Sequence, residues 1–229
     1  MKILLTLVTA LLAITLNAQE LSGTYYEGPD SLSFNDNRVI FSLRGNDGLG
    51  VIFTGEGTYE IMDDFILINT STYSGAKTKI ETAAAEKNDT IQLKLFSEEG
   101  YSIKGIRAEF LNKKGSPIAL STSDDHGVIL YKVDPKITAI KVSDLLYDKA
   151  ILDFETGTDY TIHLVKNRVL EDKLVIFKLE EVISDMKLSV KLLSTDFNKS
   201  NPSASQLKKL DKKNEAIIDR VRLFAKPEF

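Results

Sequence analysis

Between Leu32 and Leu43 apolar side chains return at every second position: Leu32 and Phe34, then Val39, Phe41 and Leu43, with Arg38, Ser42 and Arg44 interleaved. A period of two sends alternate residues to opposite faces of an extended chain, so this stretch reads as strand with one buried face. Asn35-Asp36-Asn37 interrupts it with residues that tolerate left-handed backbone, which makes the interruption a hairpin turn. Gly45 to Gly50 is a second turn-rich stretch, and Thr58, Tyr59 and Ile61 run into Asp63-Asp64 before Phe65 to Ile68 return. About six strands are expected between Leu21 and Thr82, forming an antiparallel meander or small barrel.

Ala83 to Asp89 is small and polar and reads as a connection. Beyond it come Ile91, Leu93 and Leu95, then Ile106 to Phe110, Ile118 to Leu120, Val128 to Tyr131, Ile137 to Val142, Ile151 to Phe154 and Tyr160 to Leu164. Seven short strands at this spacing predict a β-sandwich. Past Asn167, Val175, Phe177 and Leu179 and then Leu188, Val190 and Leu192 alternate with polar residues around Ser184-Asp185. A single dense helix is the alternative there, and the clean alternation after Asp185 favours a hairpin.

The C-terminal tail changes character. Leu207, Leu210, Ile217, Val221 and Phe224 fall on one helical stripe after the breaker Asn201-Pro202 and a Ser N-cap. Eight basic against four acidic residues from Lys199 to Phe229 make this an amphipathic, basic helix, either docked with its lysines in water or touching an anionic lipid or polysaccharide surface. The expected fold is therefore mainly β, with residues 1–18 as a leader, 19–88 as an N-terminal β-meander or barrel and 89–167 as a sandwich. Residues 168–229 supply a hairpin, which could complete the N-terminal sheet, and the helix.

The leader reading rests on Lys2, the apolar run Ile3 to Leu16 and the small residue Ala18 before Gln19. Fourteen residues in a helix span roughly 21 Å, short of the ~30 Å hydrocarbon core, so the run is a secretory signal rather than an anchor. The protein is accordingly expected to be exported, to the periplasm, the outer-membrane surface or the medium, with no transmembrane span in the mature chain. Zero cysteines exclude a disulfide framework, thiolate metal sites and a cysteine nucleophile. A net charge of -4 argues against general nucleic-acid binding, which needs a clustered positive field.

The stretch from about Ile91 to Val165 resembles the carboxypeptidase regulatory-like domain, a seven-stranded transthyretin-like sandwich. The resemblance is carried by the turns Lys114-Gly115-Ser116-Pro117-Ile118 and Ser123-Asp124-Asp125-His126-Gly127, by Val142-Ser143-Asp144-Leu145-Leu146-Tyr147, and by the strand Tyr160-Thr161-Ile162-His163-Leu164. Leu146 stands where the family usually has Gly, and Ser123 where it has Thr. The likeness implies a non-catalytic accessory module, and its key residues are those of turns: Asp124 bonding backbone N–H groups, with Gly127 and Gly115 free to take positive φ. The flanks look faintly like small lipocalin-like barrels of exported bacterial proteins.

Residues that could carry chemistry are sparse. His126 falls in a turn and His163 on the polar face of a strand beside Thr161. Asp63-Asp64, Glu98-Glu99 and Glu180-Glu181 sit at turns or a strand end, where solvated charge is the ordinary role. No Gly-x-Ser-x-Gly elbow, phosphate loop or calcium loop occurs. The sequence therefore predicts no catalytic residue, no metal and no cofactor. It predicts a non-catalytic exported accessory or binding protein that engages an envelope protein, polysaccharide or lipid surface. A carrier of a small apolar ligand, enclosed by the aromatic-rich first module, is the second reading, and a hydrolase the third.

Overall fold

The computed structural model describes residues 21–45, 50–87, 89–198, 200–215 and 221–227. The expected leader at 1–18 lies outside the described residues. Among the described residues five strands come first: β1 (Gly23–Glu27), β2 (Asp30–Asn35), β3 (Arg38–Arg44), β4 (Ile52–Met62) and β5 (Phe65–Thr70). Nine follow from β6 (Lys79–Ala84) and β7 (Thr90–Ser97) through β8 (Arg107–Leu111), β9 (Pro117–Thr122), β10 (Val128–Lys132), β11 (Ala139–Ser143), β12 (Ala150–Asp153), β13 (Thr158–Leu164) and the short β14 (Arg168–Val169). The chain ends with β15 (Leu174–Ser184), β16 (Lys187–Ser194), the helix α1 (Ala204–Glu215) and β17 (Arg222–Ala225).

These elements group into two units. The first takes residues 1–40, 57–69 and 173–229, and the second residues 41–56 and 70–172, so β3 and β4 each have one end in either unit. One sheet runs β4-β3-β2-β1-β17-β16-β15-β5 and closes by a β4–β5 pairing, an eight-stranded barrel-like ring with β14 added beside β4. The turn residues work as their chemistry requires: Asp36 (φ 50°) and Asp63 (φ 55°) take left-handed backbone in the β2–β3 and β4–β5 hairpins. In the first unit, Tyr25, Leu32, Phe34, Leu188, Val190 and Phe224 are buried. The Phe34 ring meets Tyr25 and Tyr59 edge-on, at 6.1 and 5.0 Å between centroids.

The segment 174–194 is the antiparallel hairpin β15–β16 rather than a helix. Phe65 to Ile68 are buried at four successive positions because both faces of β5 are covered. Phe65 and Leu67 pack with Leu174, Ile176 and Leu193 under Leu207 of α1. The helix starts at a reciprocal cap, in which Ser203 N–H donates to Gln206 Oε1 and Gln206 N–H to the Ser203 carbonyl. Lys178 Nζ donates to Asp211 Oδ2 at 2.8 Å and fixes the helix to β15.

The tail corrects the expected stripe. The helix stops at Glu215, Ile217 lies outside the described residues, and Val221 and Phe224 are not helical: Phe224 belongs to β17. That strand pairs with β1 (Tyr26 opposite Ala225) and with β16 (Leu188 opposite Phe224), closing the ring between them. Ladder hydrogen bonds on both sides outweigh a four-residue apolar coincidence, and the operative period is two, with Arg222 and Phe224 buried and Leu223 exposed.

In the second unit two four-stranded sheets, β10-β7-β13-β6 and β12-β11-β8-β9, face each other. Their core holds Leu93, Leu95, Ile129 and Ile162 from one sheet and Ala108, Phe110, Ile140 and Val142 from the other. Strand β6, inside the span read as meander, pairs antiparallel with β13 instead. Its six residues are all exposed, so no apolar pattern marks which sheet it joins; only the long-range backbone pairing does.

Candidate functional site

The sheet β10-β7-β13-β6 buries one face and offers the other. Because side chains alternate, burial of Leu93, Leu95, Tyr160 and Ile162 commits Gln92, Lys94, Phe96, Asp159, Thr161 and His163 to the outer face. Register sets their neighbours. Gln92 stands opposite Leu130 and Lys94 opposite Val128. The parallel β7–β13 pair puts Thr161 beside Lys94 and His163 beside Phe96. Glu81 and Lys79 of β6 lie opposite Thr161 and His163. Where the parallel ladder begins, Gln92 N–H donates to Asp159 Oδ1 at 3.1 Å.

An open recess of about 710 Å³ lies along this face, lined among others by Ala83, Lys87, Thr90, Gln92, Lys94, Leu130, Asp159 and Thr161. On the buried side of β13, the Tyr160 hydroxyl accepts from Glu155 N–H at 2.8 Å and donates to the Asp153 carbonyl at 3.3 Å. Burial raises that phenol's pKa above the ordinary value. Two smaller recesses, of about 200 and 240 Å³, open at the other end of β13. The first gathers Lys77, Lys79, Glu81, Glu98 and His163; the second gathers Tyr73, Glu98, Glu99 and Lys166.

The wall carrying Tyr73 and Lys77 has no secondary structure of its own and is held by carboxylates. Glu171 Oε1 accepts from Tyr73 N–H at 2.6 Å and from Lys77 Nζ at 2.8 Å, while Ser74 Oγ donates to Glu56 Oε2 at 2.6 Å. The Lys77 hydrogen bond, helped by the Tyr73 N–H, keeps the Glu171 carboxyl below its usual pKa. Sequence reasoning missed both anchors, because Glu171 lies 98 residues from Tyr73 and no local pattern links them.

His163 stacks on Phe96 with ring centroids 5.6 Å apart. His126 is exposed at its turn, and Asp125 pairs there with Lys104. Among the described residues no three His, Asp or Glu side chains gather as a metal-binding group. The arrangement offers hydroxyls, an amide and charges of both signs along a sheet face. Such groups can hydrogen-bond an extended polymer without chemistry.

The turn residues stand on the same unit. Asp124 Oδ1 accepts from Val128 N–H at 2.8 Å and His126 N–H at 2.9 Å, and Gly127 N–H donates to the Asp124 carbonyl. Gly127 has φ +72° and Gly115 φ +73°. At the second turn Asn112 Oδ1 accepts from Lys114 and Ser116 N–H. The Val128 hydrogen bond leads in holding the Asp124 carboxyl below its usual pKa. A depressed carboxyl stabilises the fold above its unfolded pKa, and that contribution is lost as pH falls through the folded value. Asp124→Asn keeps the acceptor oxygen but not the charge. Its stability deficit against the native chain should therefore be full near neutrality and shrink below about pH 4, as urea titrations across pH would measure; a deficit constant with pH refutes the charge contribution.

No protein-family model matches the chain, and a search of curated proteins found no match. Among solved structures, native alpha-2-macroglobulin from Escherichia coli, a fragment spanning domains MG0-NIE-MG1, is similar at 18% identity and a TM-score of 0.31. The alignment covers 60% of this chain and 61% of that one.

Proposed function

We propose that this is a non-catalytic, exported binding protein that engages a macromolecular partner of the cell envelope along the outer face of β10-β7-β13-β6. The observation that carries the reading is the recess of about 710 Å³ on a sheet where Thr90, Gln92 and Lys94 of β7 and Asp159 and Thr161 of β13 stand in two neighbouring rows of hydrogen-bonding groups. Such rows suit a polypeptide or polysaccharide lying across strands, and rigid strands position them without an ordering cost. The leader-like N-terminus and the resemblance of the middle third to carboxypeptidase regulatory-like accessory modules support the same reading. The carrier alternative is less favoured by large buried side chains such as Tyr25, Phe34 and Phe224, together with the buried Asp30–Arg222 ion pair, in the first unit.

A photocrosslinking residue placed at Leu130, which is exposed on the recess wall, tests this in cells making the full chain. We expect one discrete adduct, reduced at least about tenfold by Lys94→Glu, which reverses a rim charge that steers association. Absence of any adduct, or a substrate turned over by the pure protein and lost with Lys94→Glu, overturns the reading.

A further inference from the structure

We infer that the free edge of β6 pairs with β6 of a second copy of this chain, joining two four-stranded sheets into one of eight strands. This does not rest on the function proposed above. Strand β6 terminates its sheet, and all six of its residues, Lys79 to Ala84, are exposed. Proteins usually blunt such an edge with proline, a bulge, a cover or charged side chains; β6 has no proline, its six pairs with β13 run without a register break, and its charges are one of each sign, Lys79 and Glu81.

Hydrogen-bond parity decides which groups point outward. Ala85 N–H donates to the Gly157 carbonyl, and the register pairs Ala84 with Thr158 and Ala83 with Asp159. Odd-numbered residues therefore make the ladder to β13, and the N–H and C=O groups of Ile80, Thr82 and Ala84 face the open side. A twofold antiparallel pairing must use those residues. With Ile80 opposite Ile80 of the second copy, Lys79 falls opposite Glu81 and Glu81 opposite Lys79. These are non-hydrogen-bonded pairs, where side chains approach most closely. Sliding the register to the neighbouring twofold positions sets Glu81 against Glu81 or Lys79 against Lys79. The Thr82-centred register sets Glu81 against Ala83 and forms no charge pair, so charge favours the Ile80-centred one, which also covers the half-exposed Ile80 (40%) on the other face.

One added strand pair buries less than the roughly 1,000 Å² of a stable interface, so the dimer should be weak, with Kd on the order of 100 µM. Sedimentation equilibrium of the full exported chain reads it. Ile80→Pro removes an outward N–H and no bond to β13, so it should weaken association at least tenfold while the circular dichroism spectrum is unchanged. Lys79→Glu should do the same by placing Glu against Glu81, and Lys79→Glu with Glu81→Lys should restore the native constant. A chain monomeric at about 1 mM, association indifferent to Ile80→Pro, or failure of the charge swap to restore it overturns the proposal. In the first case a foreign extended peptide becomes the occupant to consider.

Discussion

Arg222→Met should destabilise the protein by about 3–5 kcal/mol, enough to consume much of a small domain's stability. Arg222 and Asp30 are each 2% exposed, and Arg222 Nη1 donates to Asp30 Oδ2 at 2.6 Å. Two charges removed from water are tolerated there because each neutralises the other. Deleting the guanidinium takes away the positive group 2.6 Å from a buried carboxylate. The two residues stand 192 positions apart, on β2 and on β17, so the pair also fastens the last described strand to the first hairpin of the ring. Asp30→Leu together with Arg222→Met removes both charges and should recover most of the loss, since a well-packed apolar pair often matches a buried ion pair. Urea unfolding of the single and double variants measures this. If Arg222→Met costs under about 1 kcal/mol, the charge is not buried as described.

Gly127→Ala should cost roughly 3 kcal/mol, while Gly115→Ala should cost only about 1–2 kcal/mol. Both glycines hold the same left-handed backbone, at φ +72° and +73°, so both substitutions pay the same conformational penalty. Their surroundings differ. A Cβ on Gly127 would lie 2.5 Å from the Leu95 carbonyl oxygen and 3.0 Å from Ile103 N, both backbone atoms, whereas one on Gly115 meets nothing within 4 Å. The Leu95 carbonyl cannot move freely, because it accepts from Ile103 N–H while Leu95 N–H donates to the Gly127 carbonyl. Gly127→Ala should therefore shift β7 relative to the turn, visible as amide chemical-shift changes at Leu95 and Ile103 that Gly115→Ala does not produce. Equal costs for the two substitutions would show that backbone conformation alone matters.

In the sandwich some of the fold is written in local sequence. Asp124, His126 and Val128 lie within five residues, so a turn held by its own carboxylate is spelled out in consecutive letters. The apolar alternation of β7, β11 and β13 likewise reports one buried face directly. The outer-face recess is legible only halfway: alternation says that Lys94 and Thr161 face outward, but only the parallel β7–β13 register makes them neighbours. The loop anchors Glu56 and Glu171, and β6 with its polar, wholly exposed face, left no periodic signal at all.

Period-two burial and left-handed turn residues are local properties, fixed within a few residues by side-chain alternation and φ, and from them the sequence alone determined that the chain is mainly β. Ring closure through β17, a strand that the apolar spacing of Val221 and Phe224 disguised as helix, was decided by tertiary structure. So were the capture of β6 by β13 and the meeting of Asp30 with Arg222. In each case the deciding free energy is a backbone ladder or a charge pair between segments far apart in the chain, which no window of neighbouring residues contains.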